Sequence, residues 1–134
     1  MGLDLGSKRI GVSICDERQS IATPFKTINK TNTNELIIQL KIIIKDNNIG
    51  GIIVGNPVNM DGSLGRSAQS VNDVASNISQ SIDLPVILWD ERLSTVGAFN
   101  LSSLLDVNVS KRVKTIDQNA AAFILQGAID FLNN

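Results

Sequence analysis

The apolar residues at the start of the chain follow a period of two. Residues 1–6 are short and apolar around Asp4, and residues 9–15 place Ile10, Val12 and Ile14 on one face. This predicts two strands joined by a tight turn, with Gly6 and Gly11 where the backbone turns or passes close to a neighbour. After a polar turn at 16–19, residues 21–28 read as a third strand. Pro24 assigns that strand to a sheet edge, since proline cannot donate to the ladder. The three strands are expected to form an antiparallel meander.

The period then becomes helical. Asn32 and Glu35 form a capping pair ahead of Leu36, Ile37, Leu40, Ile43 and Ile44, and Asn47-Asn48 with Gly50-Gly51 end the helix. Residues 52–54 are a continuous apolar run, expected of a strand covered on both faces. A loop from Gly55 leads to a second helix with Ala68, Val71, Val74, Ala75, Ile78 and Ile82 on one stripe. Residues 85–89 predict a fifth, buried strand that runs into Asp90-Glu91-Arg92. A third helix spans 95–105 through Val96, Leu101, Leu104 and Leu105. Residues 107–114 show no period and read as a mobile connection. Thr115 then starts the last helix, with Gln118 at the reciprocal capping position and Ile116, Ala120, Ile124, Ala128 and Phe131 facing inward.

The order β-β-β-α-β-α-β-α-α constrains the topology. Strand–helix–strand crossovers require parallel neighbours, and the helices must cover both sheet faces. The fold class is therefore α/β, a five-stranded mixed sheet flanked by helices on both faces.

Composition narrows the chemistry more than the fold. The 134 residues suit one domain spanning 1–134, with 43% hydrophobic and 19% charged residues. No window approaches the roughly 18 apolar residues of a membrane span, and the start lacks a signal-peptide layout. Cys15 is the lone cysteine, best read as a small buried hydrophobe, and the expected compartment is the cytoplasm. The chain has neither histidine nor tyrosine, which excludes histidine triads, zinc–imidazole sites and tyrosine nucleophiles. Hydrolysis would have to run on carboxylates, lysine, serine or threonine, or a bound hard ion such as magnesium or manganese. A net charge of −1 argues against an indiscriminate nucleic-acid binder, although a local basic patch suffices for phosphate contacts.

Three carboxylates stand out. Asp4 lies between Leu3 and Leu5, where a charge is costly unless paired or bound to metal; hydrogen bonding to the next turn is the alternative. Glu91 ends the fifth strand, where α/β sheets place their ligands, though Asp90 or Ser94 could cap a helix while Glu91 and Arg92 pair at the surface. Asp117 falls in the expected first turn of the last helix, which the helix dipole alone would favour. Should the fifth strand lie two places from the first, their backbones stand ~10 Å apart, from a strand spacing of about 4.8 Å. Carboxylates reaching across that gap could bracket two divalent ions and favour attack of water on a phosphodiester. The loop 55–65, which carries Asn56 and Asn59 and runs into Arg66, is either a phosphate-tracking turn or an ordinary strand-to-helix loop.

Taken together, these segments resemble the YqgF family, also called RuvX-like, of candidate pre-16S rRNA nucleases first classed as Holliday-junction-resolvase-like. The matching stretches are MGLDLGSKRIGVSICD, GNPVNMDGSLG, DERLSTVGA and KTIDQNAAAFILQGAIDF, in the family's order along essentially the whole chain. The resemblance implies an RNase H-like fold and a divalent-metal-dependent nuclease maturing the 5′ end of 16S rRNA, with Asp4, Glu91 and Asp117 as catalytic and metal-holding residues. Family members usually begin a few residues earlier, so a short first strand is expected. Asn56 stands where relatives more often carry leucine, and the segment around Lys111, Arg112 and Lys114 is less basic than in many of them.

The expected substrate contacts are Lys8, Arg9, Asn56, Asn59, Arg66, Arg92, Lys111, Arg112 and Lys114. The expected partner is nucleic acid, an rRNA precursor rather than branched DNA, alone or in a pre-ribosomal particle. No membrane is expected, and the protein would act as a monomer or weak homodimer. Resolution of Holliday junctions and non-catalytic RNA binding in ribosome assembly are the alternatives. An actin-like or sugar-kinase-like nucleotide clamp would need two such domains.

Overall fold

A computed structural model describes residues 1–6, 8–56, 66–90 and 109–133, with side chains throughout except at 66–68 and 109–118. The elements are β1 (Gly2–Leu5), β2 (Arg9–Cys15), β3 (Ala22–Asn29), α1 (Thr33–Asn47), β4 (Ile52–Asn56), α2 (Arg66–Ser81), β5 (Val86–Asp90) and α3 (Val109–Asn133). They build one five-stranded sheet in the order β3-β2-β1-β4-β5. β1, β2 and β3 pair antiparallel, while β1, β4 and β5 run parallel. The meander, the parallel crossovers and the edge position of the Pro24 strand are all as expected.

Alternation distributes the strand residues between two layers. Leu3, Ile10, Val12, Ile28, Ile52 and Val54 join Leu36, Leu40, Val71 and Ile78 in one core on the α1–α2 face. The other face is closed by α3, whose Ala121 carbonyl accepts from the fully buried Ser13 hydroxyl at 2.7 Å. A Cβ on Gly2 would lie 2.5 Å from Ser13 Oγ and 2.8 Å from Ala121 O, so only glycine lets α3 approach β1 this closely.

Local signals set the ends of α1. Asn32 accepts from the Glu35 N–H at 2.9 Å at its N-cap. Asn48 closes it in the left-handed region at φ 53°, and its N–H reaches the Ile44 carbonyl. The turn before β3 is held by Asp16, which accepts from the N–H groups of Ser20 at 2.8 Å and Ile21 at 3.0 Å.

Several expectations need correction. The last helix starts at Val109 rather than Thr115, so Lys111, Arg112 and Lys114 are helical and not a connection. Lysine and arginine are good helix formers, and no glycine or proline interrupts 109–126. β5 is an edge strand and not a buried one, with Ile87 49% and Leu88 40% exposed, because among the described residues no strand pairs with its outer side. Phe131 is 69% exposed near the end of α3, where it meets Trp89 edge-on at 5.7 Å. Asn56 ends β4 and does not belong to the loop after it, because the β4–β5 ladder runs on to Asn56 and Asp90. The expected third helix at 95–105 lies outside the described residues. Among the described residues, no helix is long and apolar enough to cross a membrane.

Candidate active site

Three parallel strands deliver their carboxyl ends to one edge of the sheet. β1 brings Asp4 there, β4 brings Asn56, and β5 brings Asp90, with Asn56 and Asp90 in register. β5 lies two places from β1, the separation on which the carboxylate argument depends. Gly6 closes the adjoining turn, its N–H donating to Asp4 O at 3.1 Å and Arg9 O at 3.0 Å. A Cβ at Gly6 would lie 2.5 Å from Arg9 O, so the turn needs glycine to hold Arg9 this close to Asp4.

Asp4 alternates with Leu3 and shares the face of Gly2, which is the face covered by α3. It is half-buried and stands opposite Gly11. Arg9 alternates with Gly11 and the α3-facing Ser13, which puts it on the same face. Asn56 follows Ile52 and Val54 by alternation and belongs to the opposite, α2-side face. Its Oδ1 is enclosed and lacks a donor among the described residues.

The direction of α3 fixes where its acidic residue falls. Gln126 Nε2 donates to Ser20 O at 2.9 Å and Asn133 Nδ2 to Gln19 O at 3.1 Å, so the end of α3 lies at the 16–20 turn. Moving up the helix leads away from that turn, as does moving along β1 from Gly2 to Asp4. From the Gly2–Ala121 contact, Asp4 is two residues onward, about 6.6 Å at the strand rise of ~3.3 Å. Asp117 is four residues earlier on the helix, about 6 Å at ~1.5 Å per residue. The Asp117 backbone therefore reaches the same end of the sheet as Asp4. It sits in the third turn of α3, not the first, so the dipole explanation for its position falls away.

The structure brings together Asp4, Arg9 and the backbone of Asp117, with Lys8 exposed in the neighbouring turn. It sets Asn56 apart on the other face. Glu91, Asn59 and Arg92 lie outside the described residues, and the side chains of Arg66, Lys111, Arg112, Lys114 and Asp117 are not described. Among the described residues no group of three metal-ligating side chains occurs.

Sequence reasoning missed Ser13 and the buried Asn119, 6% exposed on α3. The signal for Ser13 was present, a small polar residue between the apolar positions of β2, but its partner lies 108 positions away. It also missed Lys30, whose N–H bonds the Lys8 carbonyl at 3.0 Å.

Comparison with known proteins agrees with this architecture. Thermus thermophilus RuvC in complex with a Holliday junction substrate superimposes with a TM-score of 0.61 at 11% identity, covering 99% of this chain and 94% of that one. A second T. thermophilus RuvC structure gives 0.56 at 12% identity, over 98% and 94%. The fold is thus RNase H-like. A Pelagibacter ubique protein named "Putative pre-16S rRNA nuclease" is 97% identical over all of this chain and 89% of its own length. A Cereibacter sphaeroides protein of the same name is 45% identical over 99% of this chain and 83% of its own. The family model described as "RuvX: Holliday junction resolvase" matches residues 1–131, and with these relatives it shows that the chain belongs to the RuvX family.

Proposed function

We propose that this protein is a metal-dependent nuclease that hydrolyses nucleic-acid phosphodiesters and matures the 5′ end of pre-16S rRNA. The observation that carries this reading is the convergence of Asp4 and the Asp117 backbone at the carboxyl end of β1, on the α3 face of the sheet. Alternation along β5 puts Trp89 on that face, against Gly127 of α3, and Glu91 follows two residues later in the chain. The names of the relatives point to the same activity.

The donor set suits a hard divalent cation. Asp4 is a half-buried carboxylate, the chain has no histidine and one cysteine, and carboxylate oxygens are the ligands magnesium and manganese prefer. Asp4, Glu91 and Asp117 would hold the ions, which when bound supply Lewis-acid stabilisation of charge developing on the phosphoryl oxygens. Arg9, on the face of Asp4, and Lys8 in the turn place positive charge where the substrate backbone approaches. Asn59, Arg66, Arg92, Lys111, Arg112 and Lys114 extend that contact. The domain spans 1–134 and works in the cytoplasm as a monomer or weak homodimer.

Cleavage of a four-way DNA junction is the second reading, favoured by the likeness to RuvC in its junction complex. Both are tested by incubating the purified protein with a labelled rRNA precursor and a synthetic four-way junction, in magnesium, in manganese and in chelator. Metal-dependent cutting of the precursor, lost in Asp4→Asn with folding and binding retained, is the expected result. Unchanged cutting by Asp4→Asn would remove Asp4 from the site. RNA binding without cutting under any condition would favour the assembly-protein reading.

A further inference from the structure

At the end of the sheet that carries Asp4, two lysines face each other across the β2–β3 ladder. Arg9 pairs with Asn29 and Ile10 with Ile28, so the same register sets Lys8 opposite Lys30 just beyond the strand ends. The Lys30 N–H donates to the Lys8 carbonyl at 3.0 Å, which fixes the two backbones against each other. Both side chains are exposed, and neither ammonium has an ion-pair partner among the described residues. Nothing in the packing requires either lysine, since the apolar layer ends one step earlier at Ile10 and Ile28.

Alternation gives these lysines the α1 side of the sheet, opposite the face of Asp4 and Arg9. The Gly6 N–H, bonded to Asp4 O and Arg9 O, lies at the end of the sheet where the two faces meet. We infer that Lys8 and Lys30 form a phosphate clamp for a single-stranded RNA that leaves the Asp4 face, crosses the β1–β2 turn and passes toward the start of α1. The inference rests on the nuclease reading for its substrate and adds the direction in which that substrate runs. An anionic strand passing between the two exposed side chains meets positive charge from both strand ends. The clamp lies away from the reacting carboxylates, so it contributes binding that is equal in ground and transition states.

The test measures binding of the full chain to a labelled single-stranded RNA in chelator across a salt series, and cleavage separately in magnesium. Variants are Lys30→Ala, Lys30→Arg, Lys8→Ala and, as a control in the last turn of α1, Lys45→Ala. Lys30→Ala should lower the slope of log affinity against log salt by about 0.7, the share of one phosphate contact on a single strand. Its affinity deficit should therefore narrow about 2.6-fold between 50 and 200 mM salt. KM should rise with kcat unchanged, Lys30→Arg should restore the slope, and the thermal midpoint of the free protein should hold, since Lys30 is exposed. A Lys30→Ala slope equal to that of Lys45→Ala, with wild-type binding intact, overturns the clamp and leaves the nuclease reading standing. A wild-type chain that binds no RNA overturns both.

Discussion

Replacing Gly2 with alanine tests the contact on which the site's geometry depends. The added Cβ would lie 2.5 Å from Ser13 Oγ, 2.8 Å from the Ala121 carbonyl oxygen and 2.8 Å from Leu125 Cβ. Ordinary carbon contacts lie at roughly 3.5–4.0 Å, so about an ångström of space is missing on each side. Ser13 is fully buried and bonded to Ala121 O at 2.7 Å, and that oxygen belongs to the backbone of α3. No rotamer change removes it. Overpacking of this kind costs about 1–3 kcal/mol, and a backbone obstacle places Gly2→Ala near the upper end. Unfolding entropy is about 2.1 cal/mol/K per residue, or roughly 0.28 kcal/mol/K over 134 residues. A loss of about 3 kcal/mol therefore lowers Tm by ~11 °C. Thermal unfolding followed by circular dichroism reads this directly. The parallel expectation is a fall in cleavage by the folded variant, because relief comes from moving α3, and with it Asp117, away from β1. Ser13→Ala in the same background removes one obstacle of three and should recover only part of the stability. A Tm drop under about 2 °C would refute the claim that β1 and α3 are in fixed, close contact.

Two further substitutions probe how local signals hold the fold. Asn32→Ala removes the N-cap of α1 and should cost about 1 kcal/mol, seen as a Tm lower by ~3–4 °C, whereas Asn32→Ser should retain most of the stability. The Asp16 carboxyl is held below the usual carboxylate range by the N–H groups of Ile21 and Ser20 that it accepts from. A depressed folded pKa makes its contribution fully present above the unfolded value of ~3.9 and lost as pH falls through the folded value. Tm measured from pH 5 downward should therefore fall less steeply for Asp16→Asn than for wild type, and parallel curves would show that the turn does not depend on the ionised carboxyl.

The sequence alone determined elements and their types. Ile10, Val12 and Ile14 at period two, Leu36 through Ile44 at helical spacing, Pro24 at an edge and Asn32 at a cap are readings of local sterics and hydrogen bonding, which act over a few residues. The crossover rule then yielded the parallel neighbours, and family motifs quoted from the chain named Asp4, Glu91 and Asp117. Tertiary structure decided what those local rules leave open. The start of α3 was misread because a polar, basic first turn has no apolar stripe of its own, although nothing in it forbids a helix. The fifth strand looked buried because an apolar run cannot say whether another strand follows on its outer side. The opposition of Lys8 and Lys30, the Ser13–Ala121 bond and the separation of Asn56 from Asp4 by the sheet depend on ladder register and helix direction. Those are set by contacts between residues as far as 108 positions apart, where no local pattern reaches.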